Sequence, residues 1–157
     1  MVFYSPTKGK LTFDQVFADL NQFIRDNSDS KFKLIVGTDS QAGEEVCYVT
    51  AIVILREGKG GRFFYCRERE RVRLSLNQRI FYEASRSLSV AALLTERLAA
   101  AGEEAKLNVE IHLDVGENGK TKEIIHDVIG MVTGSGFGAK IKPDSYGASK
   151  VADRYTK

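Results

Sequence analysis

The feature that most restricts the fold is a change of hydrophobic period along the chain. Three strand-like segments follow one another between residues 32 and 74, and then helical and strand-like segments alternate. Phe32 to Thr38 reads as the first strand. Val46 to Leu55 reads as the second, rich in the Val, Ile and Tyr that suit a pleated surface. Glu57 to Gly61 carries three glycines and predicts a hairpin turn into a long, charged third strand, Arg62 to Leu74. Asn77 to Ala101 has the Ala, Leu, Arg and Glu content of a long helix, closed by Gly102. Leu107 to Val115 predicts a fourth strand. Thr121 to Thr133 predicts a helix with Ile124, Ile125, Val128, Ile129 and Val132 on one side. Phe137 to Lys142 predicts a short fifth strand limited by Pro143, and Ser149 onward a last helical turn or two.

Ahead of this run, residues 12 to 27 predict an amphipathic helix. Thr12 and Gln15 form a capping-box pattern, and Phe13, Val16, Phe17, Leu20, Phe23 and Ile24 recur at helical spacing. After that helix the order is β-β-β-α-β-α-β-α. The expected fold class is α/β: a mixed five-stranded sheet, with an antiparallel meander and two parallel strands, flanked by helices. Residues 1–30 are expected to form an N-terminal helical extension packed on a domain of residues 31–157. The Phe-rich face of that helix has two candidate partners, its own sheet or a second subunit, so a homo-oligomer stays open.

Composition excludes several classes. The chain has 157 residues, 43% hydrophobic and 28% charged, which fits one globular domain. Its net charge of +2 neither demands nor excludes nucleic acid. Cys47 and Cys66 have no CxxC pattern, which argues against a disulfide framework and a zinc finger and for free thiols in a reducing compartment. Met1 to Lys10 lacks the apolar stretch of a signal peptide, and Val49 to Leu55 is too short to span a bilayer. A cytoplasmic protein with no membrane association is expected.

The chemistry lies in the acidic residues. Asp39 follows the first strand, Asp114 the fourth, and Asp153 lies in the last predicted helix. Ligands of α/β sheets gather at the carboxyl ends of parallel strands. If the first and fourth strands are parallel neighbours, Asp39 and Asp114 meet there. Two such carboxylates repel and need a cation or a shared proton. Oxygen ligands without His or Cys select Mg²⁺ or Mn²⁺ over zinc. Two ions about 3.5–4 Å apart can activate a water and stabilise the leaving oxygen in phosphodiester cleavage. Each Asp taken alone also reads as an ordinary strand-end or capping residue.

Gly37-Thr38-Asp39-Ser40-Gln41, His112-Leu113-Asp114-Val115-Gly116 and Val151-Ala152-Asp153-Arg154-Tyr155-Thr156-Lys157 resemble the ribonuclease H-like superfamily. They most resemble a small bacterial family within it known mainly as uncharacterised. The element order agrees, and the resemblance covers residues 32 to 157. It implies Asp39, Asp114 and Asp153 as catalytic and metal-binding carboxylates. It also implies a Glu in the first turns of the long helix, where Asn77 to Glu83 resembles the family segment, so Glu83 is assigned. Without the resemblance, Glu83 reads first as a helix ion pair with Arg79 or Arg86. Glu96 is the fallback on the same helix, and Asp144 in Pro143-Asp144-Ser145-Tyr146 competes with Asp153. Two departures stand out. Lys142 to Lys150 lacks the His common before the last helix in cellular ribonucleases H, with Lys150 or Tyr146 as stand-ins, and the basic handle of some of those enzymes has no counterpart.

Other signals are weaker. Gly116 to Thr121 resembles a phosphate loop, but Asp114 occupies the position where the first glycine belongs. Arg67, Arg69, Arg71 and Arg73 alternate on the third strand and read as a phosphate-tracking stripe, a charged edge or a dimer contact. Lys120, His112, Lys150 and Arg71 are the candidate substrate contacts. His112 also reads as a hydrogen-bonded structural residue, and His126 as structural. The expected function is a two-metal nuclease acting on RNA, DNA or a hybrid. The alternatives are a nucleic-acid-binding or scaffold module with this fold but no catalysis, and a nucleotide-binding protein using Lys120 and Thr121.

Overall fold

The meander predicted between residues 32 and 74 forms the centre of the sheet. The computed structural model describes residues 1–103, 107–116 and 122–146. Strands β1 (Val2–Ser5) and β2 (Gly9–Thr12) precede helix α1 (Phe13–Asp26). The meander follows as β3 (Phe32–Gln41), β4 (Val46–Arg56) and β5 (Gly60–Glu70). Then come α2 (Leu76–Ala100), β6 (Leu107–His112), a 3₁₀ turn (Lys122–Ile124), α3 (Ile125–Gly134) and β7 (Gly138–Lys140). The strand order is β2-β1-β5-β4-β3-β6-β7. β3 and β4 pair antiparallel from Phe32↔Arg56 to Gln41↔Cys47. β3 and β6 pair parallel from Phe32↔Leu107 to Gly37↔His112, and β6 and β7 are also parallel.

The mixed sheet is as expected, but it has seven strands rather than five. The N-terminus supplies the two extra strands. β1 and β2 form a hairpin, and β1 adds to β5 through Phe3↔Cys66 and Tyr4↔Tyr65. Four residues per strand leave too short a pattern to read from sequence, and a lone hairpin of that size is unstable in water. It forms here because it caps the open edge of β5. A second correction concerns β5, which ends at Glu70 and not at Leu74. Its partner β4 begins at Val46, opposite Glu70, so Arg71 and Arg73 have no strand to pair with. Similarly β6 ends at His112 and leaves Asp114 just beyond the strand.

The capping box at α1 forms as read: Thr12 accepts from the Gln15 amide and Gln15 accepts from the Thr12 amide. A second one, Ser75 with Gln78, starts α2. One face of the sheet carries Phe32, Leu34, Val36, Ile52, Ile54 and Phe64. These pack in one cluster with Val16, Leu20 and Ile24 of α1, with Ala84, Ala91, Leu94 and Leu98 of α2, and with Val128 and Val132 of α3. The buried side of α1 therefore packs on its own sheet. The opposite sheet face has a smaller cluster, Val49 and Ala51 with Cys47 and Tyr65. No helix among the described residues is long and apolar enough to cross a membrane.

Candidate active site

Parallel pairing of β3 with β6 brings Asp39 and Asp114 to one end of the sheet. Their carboxyl groups lie within hydrogen-bonding reach of each other, and Glu83 is near enough for its charge to act on both. Asp39 is 6% exposed and Glu83 5%. Burial, then the charge and hydrogen bond of Asp114, then Glu83, push the Asp39 carboxyl up to about 8; the Ser40 amide, which donates to Asp39 Oδ1 at 2.9 Å, opposes this. Burial and the Asp114 charge push Glu83 up to about 8 as well, against the Ser40 hydroxyl and the more distant Arg79. Raised carboxyl groups in a cluster signal acidic side chains that the protein has gathered with too few cations to offset them.

Alternation along β3 explains why these groups approach but do not converge. Thr38 and Ser40 point toward α2: Thr38 Oγ1 lies 2.8 Å from Ser87 Oγ, and Ser40 Oγ donates to Glu83 Oε2 at 2.5 Å. Asp39, between them, points to the other face. Glu83 therefore reaches the strand end from the helix side. Asp114 is held by the Lys142 ammonium, 2.7 Å from its Oδ1. Among the described residues, no three His, Cys, Asp or Glu side chains already meet around one point as metal ligands.

The helix ion pair considered for Glu83 goes elsewhere. Arg86 pairs with Glu68 of β5 at 2.6 Å. Glu96 is exposed and lies 13 residues further along α2, about 20 Å at 1.5 Å per residue, so the fallback has no place beside Asp39. Asp144 is an exposed turn residue whose amide donates to the Ile141 carbonyl at 2.8 Å. His112 is buried beside Glu110, with Nε2 3.0 Å from Oε1, and stands edge-on to Tyr146 at 4.6 Å. Burial lowers its pKa, opposed by Glu110. His126 is exposed on α3. Arg71 is exposed and faces Glu45 at 3.7 Å. Asp153, Lys120, Thr121 and Lys150 lie outside the described residues.

Sequence reasoning missed three contributors. Ser40 holds Glu83, and its place beside Asp39 was a usable signal. Lys142 neutralises Asp114 from a loop with no motif. Tyr48 of β4, 1% exposed, packs on the Tyr82 ring of α2 in a tilted contact, centroids 4.6 Å apart, and its hydroxyl has no hydrogen-bond partner among the described residues. Burial, then the charge of Glu83, raises the pKa of that hydroxyl.

The chain is similar to known proteins over most of its length. The family model "Ribonuclease H-like" matches residues 15–157. The chain is 35% identical over 169 residues to "Uncharacterized protein YkuK" of Bacillus subtilis (strain 168), with 99% of this chain and 97% of that protein covered. No solved structure matches.

Proposed function

This chain belongs to the ribonuclease H-like family, and from that premise we propose that it is a divalent-metal-dependent nuclease. The observation that carries the proposal is a mutually repelling set, the buried Asp39 and Glu83 with the partly buried Asp114. A fold does not keep such a set for stability, since three carboxyl groups must be brought together with a single ammonium, that of Lys142 on Asp114, paired to them. The donors are all carboxylate oxygens, which fits Mg²⁺ or Mn²⁺. Asp39, Glu83 and Asp114 would hold the ions, with Asp153 proposed as the fourth ligand. Such ions activate a water and stabilise the leaving oxygen of a phosphodiester.

The chain's own groups have separable tasks in this reading. Asp39, which burial and its neighbours make hold a proton, would have to release it to face a cation as a carboxylate. Ser40 keeps Glu83 at the strand end by its hydroxyl, so that the third carboxylate is already near. Lys142 balances Asp114 and is itself half exposed, placed to contact a phosphate. Lys120, Lys150 and Arg71 remain proposed substrate contacts.

A second reading, a nucleic-acid-binding module without catalysis, is favoured by one observation. The Lys142 ammonium already occupies one side of Asp114, where a metal-bound enzyme needs a free oxygen. The experiment is Mg²⁺- and Mn²⁺-dependent cleavage of single strands, duplexes, RNA–DNA hybrid and branched DNA, with Asp39→Asn run beside the wild type. Cleavage lost in Asp39→Asn supports the nuclease. Cleavage retained in the variant, or absent on every substrate while binding is measurable, replaces it with the binding module.

A further inference from the structure

The sheet face that carries Asp39 also carries, by register, a line of cations and aromatic rings. Asp39 pairs with Val49, and Val49 with Arg67. Two residues toward the hairpin end, Gln41 pairs with Cys47 and Cys47 with Arg69. Two residues the other way, Gly37 pairs with Ala51, Ala51 with Tyr65, Tyr65 with Tyr4 and Tyr4 with Lys10. Residues directly opposite on paired strands share a face, and so do residues two apart. Arg67, Arg69, Tyr65, Tyr4 and Lys10 therefore stand on one surface with Asp39.

We propose that this surface is a binding platform for a single-stranded stretch of nucleic acid leading to the carboxylates. The proposal rests on the nuclease reading for its direction, since it takes Asp39 as the end of the path. Tyr4 and Tyr65 are stacked, with ring centroids 5.6 Å apart and planes at 28°. Tyr4 is 39% exposed although it is a large side chain in a strand, so part of it is open to solvent beside the ring pair. Base–aromatic stacking of this kind tolerates any sequence and needs unstacked bases, which selects single strands over duplex. Arg67, Arg69 and Lys10 are exposed and flank the rings. Phosphates on either side of a stacked base would meet them.

The dimensions agree with a short strand. Arg67 stands two strand spacings from Asp39, roughly 10 Å, and Tyr65 lies a further two residues along β5, roughly 7 Å. The stretch from carboxylate to ring pair thus suits a few nucleotides. Glu44 and Glu45 line a shallow groove with Gln41, Cys47 and Arg69 at the β3–β4 hairpin, and Glu45 faces Arg71. That places the acidic border beyond the arginines, away from the ring pair.

The test is fluorescence anisotropy of labelled 12-nucleotide oligo-dT and oligo-U, and of a duplex of the same length, with the full chain in EDTA, where cleavage cannot occur. Single strands are expected to bind more tightly than duplex. Tyr4→Ala is expected to weaken single-strand binding about 5- to 100-fold, and Tyr4→Phe to bind like wild type. Arg69→Gln should make the slope of log K against log salt shallower by about 0.7. Arg69→Gln changes an exposed side chain, so it still decides the matter if Tyr4→Ala unfolds the N-terminal hairpin. No single-strand binding, or binding that neither Tyr4→Ala nor Arg69→Gln alters, overturns the platform. Because no metal is present, loss of the nuclease reading would show in the cleavage assay and leave this result standing. The two oligonucleotides report whether RNA or DNA is preferred.

Discussion

Asp39→Asn should make the metal-free protein more stable, by a margin that is absent at pH 4 and grows as pH rises toward 8. The Asp39 carboxyl is raised from 3.8 to about 8. Between about pH 4 and pH 8 the folded protein therefore keeps a proton that the unfolded chain has lost. The folded state binds more protons, so its stability falls as pH rises through this window. Below about pH 4 the penalty is absent, and above about pH 8 it is complete. At about 1.4 kcal/mol per pKa unit the ceiling is roughly 5–6 kcal/mol. The surroundings relax as the charge on Asp39 appears, so we expect about 2–3 kcal/mol of that to be recovered by the variant at pH 9. Asn preserves the local bonding, because its oxygen accepts from the Ser40 amide and its NH₂ donates to Asp114. For a chain of this length the gain corresponds to a Tm higher by about 4–10 °C. The assay is thermal unfolding by circular dichroism in EDTA from pH 4 to pH 9, wild type beside variant. The two curves should coincide at pH 4 and separate steadily toward pH 9. A variant no more stable at pH 9, or a gap independent of pH, would refute the claim that this carboxylate is buried against its neighbours.

Other outcomes follow from the same site and its frame. Ser40→Ala removes the hydroxyl that donates to Glu83 and should cost about 1–3 kcal/mol, read as a fall in the denaturant midpoint at constant slope. Lys142→Met should change metal-free stability by less than about 1 kcal/mol, because the ammonium is half exposed. The same change should strengthen Mg²⁺ binding by calorimetry, since it removes the cation competing for Asp114; unchanged or weaker binding would show that Lys142 does not compete. Mg²⁺ at millimolar concentration should raise the wild-type Tm at pH 8 and leave Asp39→Asn unmoved, by linkage of binding to folding. Gly61→Ala should destabilise by about 1–3 kcal/mol or more, because a Cβ there would lie 1.8 Å from the Ile54 carbonyl oxygen; a neutral melting curve would contradict the close approach of β4 and β5.

Local chemistry made much of this fold legible. The capping box at Thr12, the β-branched runs of β3 and β4, the glycine turn before β5 and the long helix ending near Gly102 each act over a few residues. Those signals survive folding unchanged because the backbone groups they satisfy are their own neighbours. The N-terminal hairpin was not legible, because its strands exist only against the edge of β5. The end of β5 was misread for a related reason: alternating Arg and Glu continue past Glu70, but the partner strand does not. In the site, the motif around Asp39 and the position of Asp114 after a strand were visible as residues. Glu83 rested on the family resemblance, since its spacing to Arg79 and Arg86 pointed first to an ion pair.

By itself, the sequence determined the order of elements from the first helix to the last short strand, the acidic residues at two strand ends and the family to which those motifs point. These depend on identity and short-range spacing, which a linear chain carries in full. Only the tertiary structure decided that Ser40 and not Arg86 holds Glu83, that Lys142 reaches Asp114, and that Tyr4, Tyr65, Arg67 and Arg69 share a face with Asp39. Each of these is a contact between segments far apart in the chain. Their pairing is set by strand register and by which sheet edge a segment finds, and no local pattern encodes either.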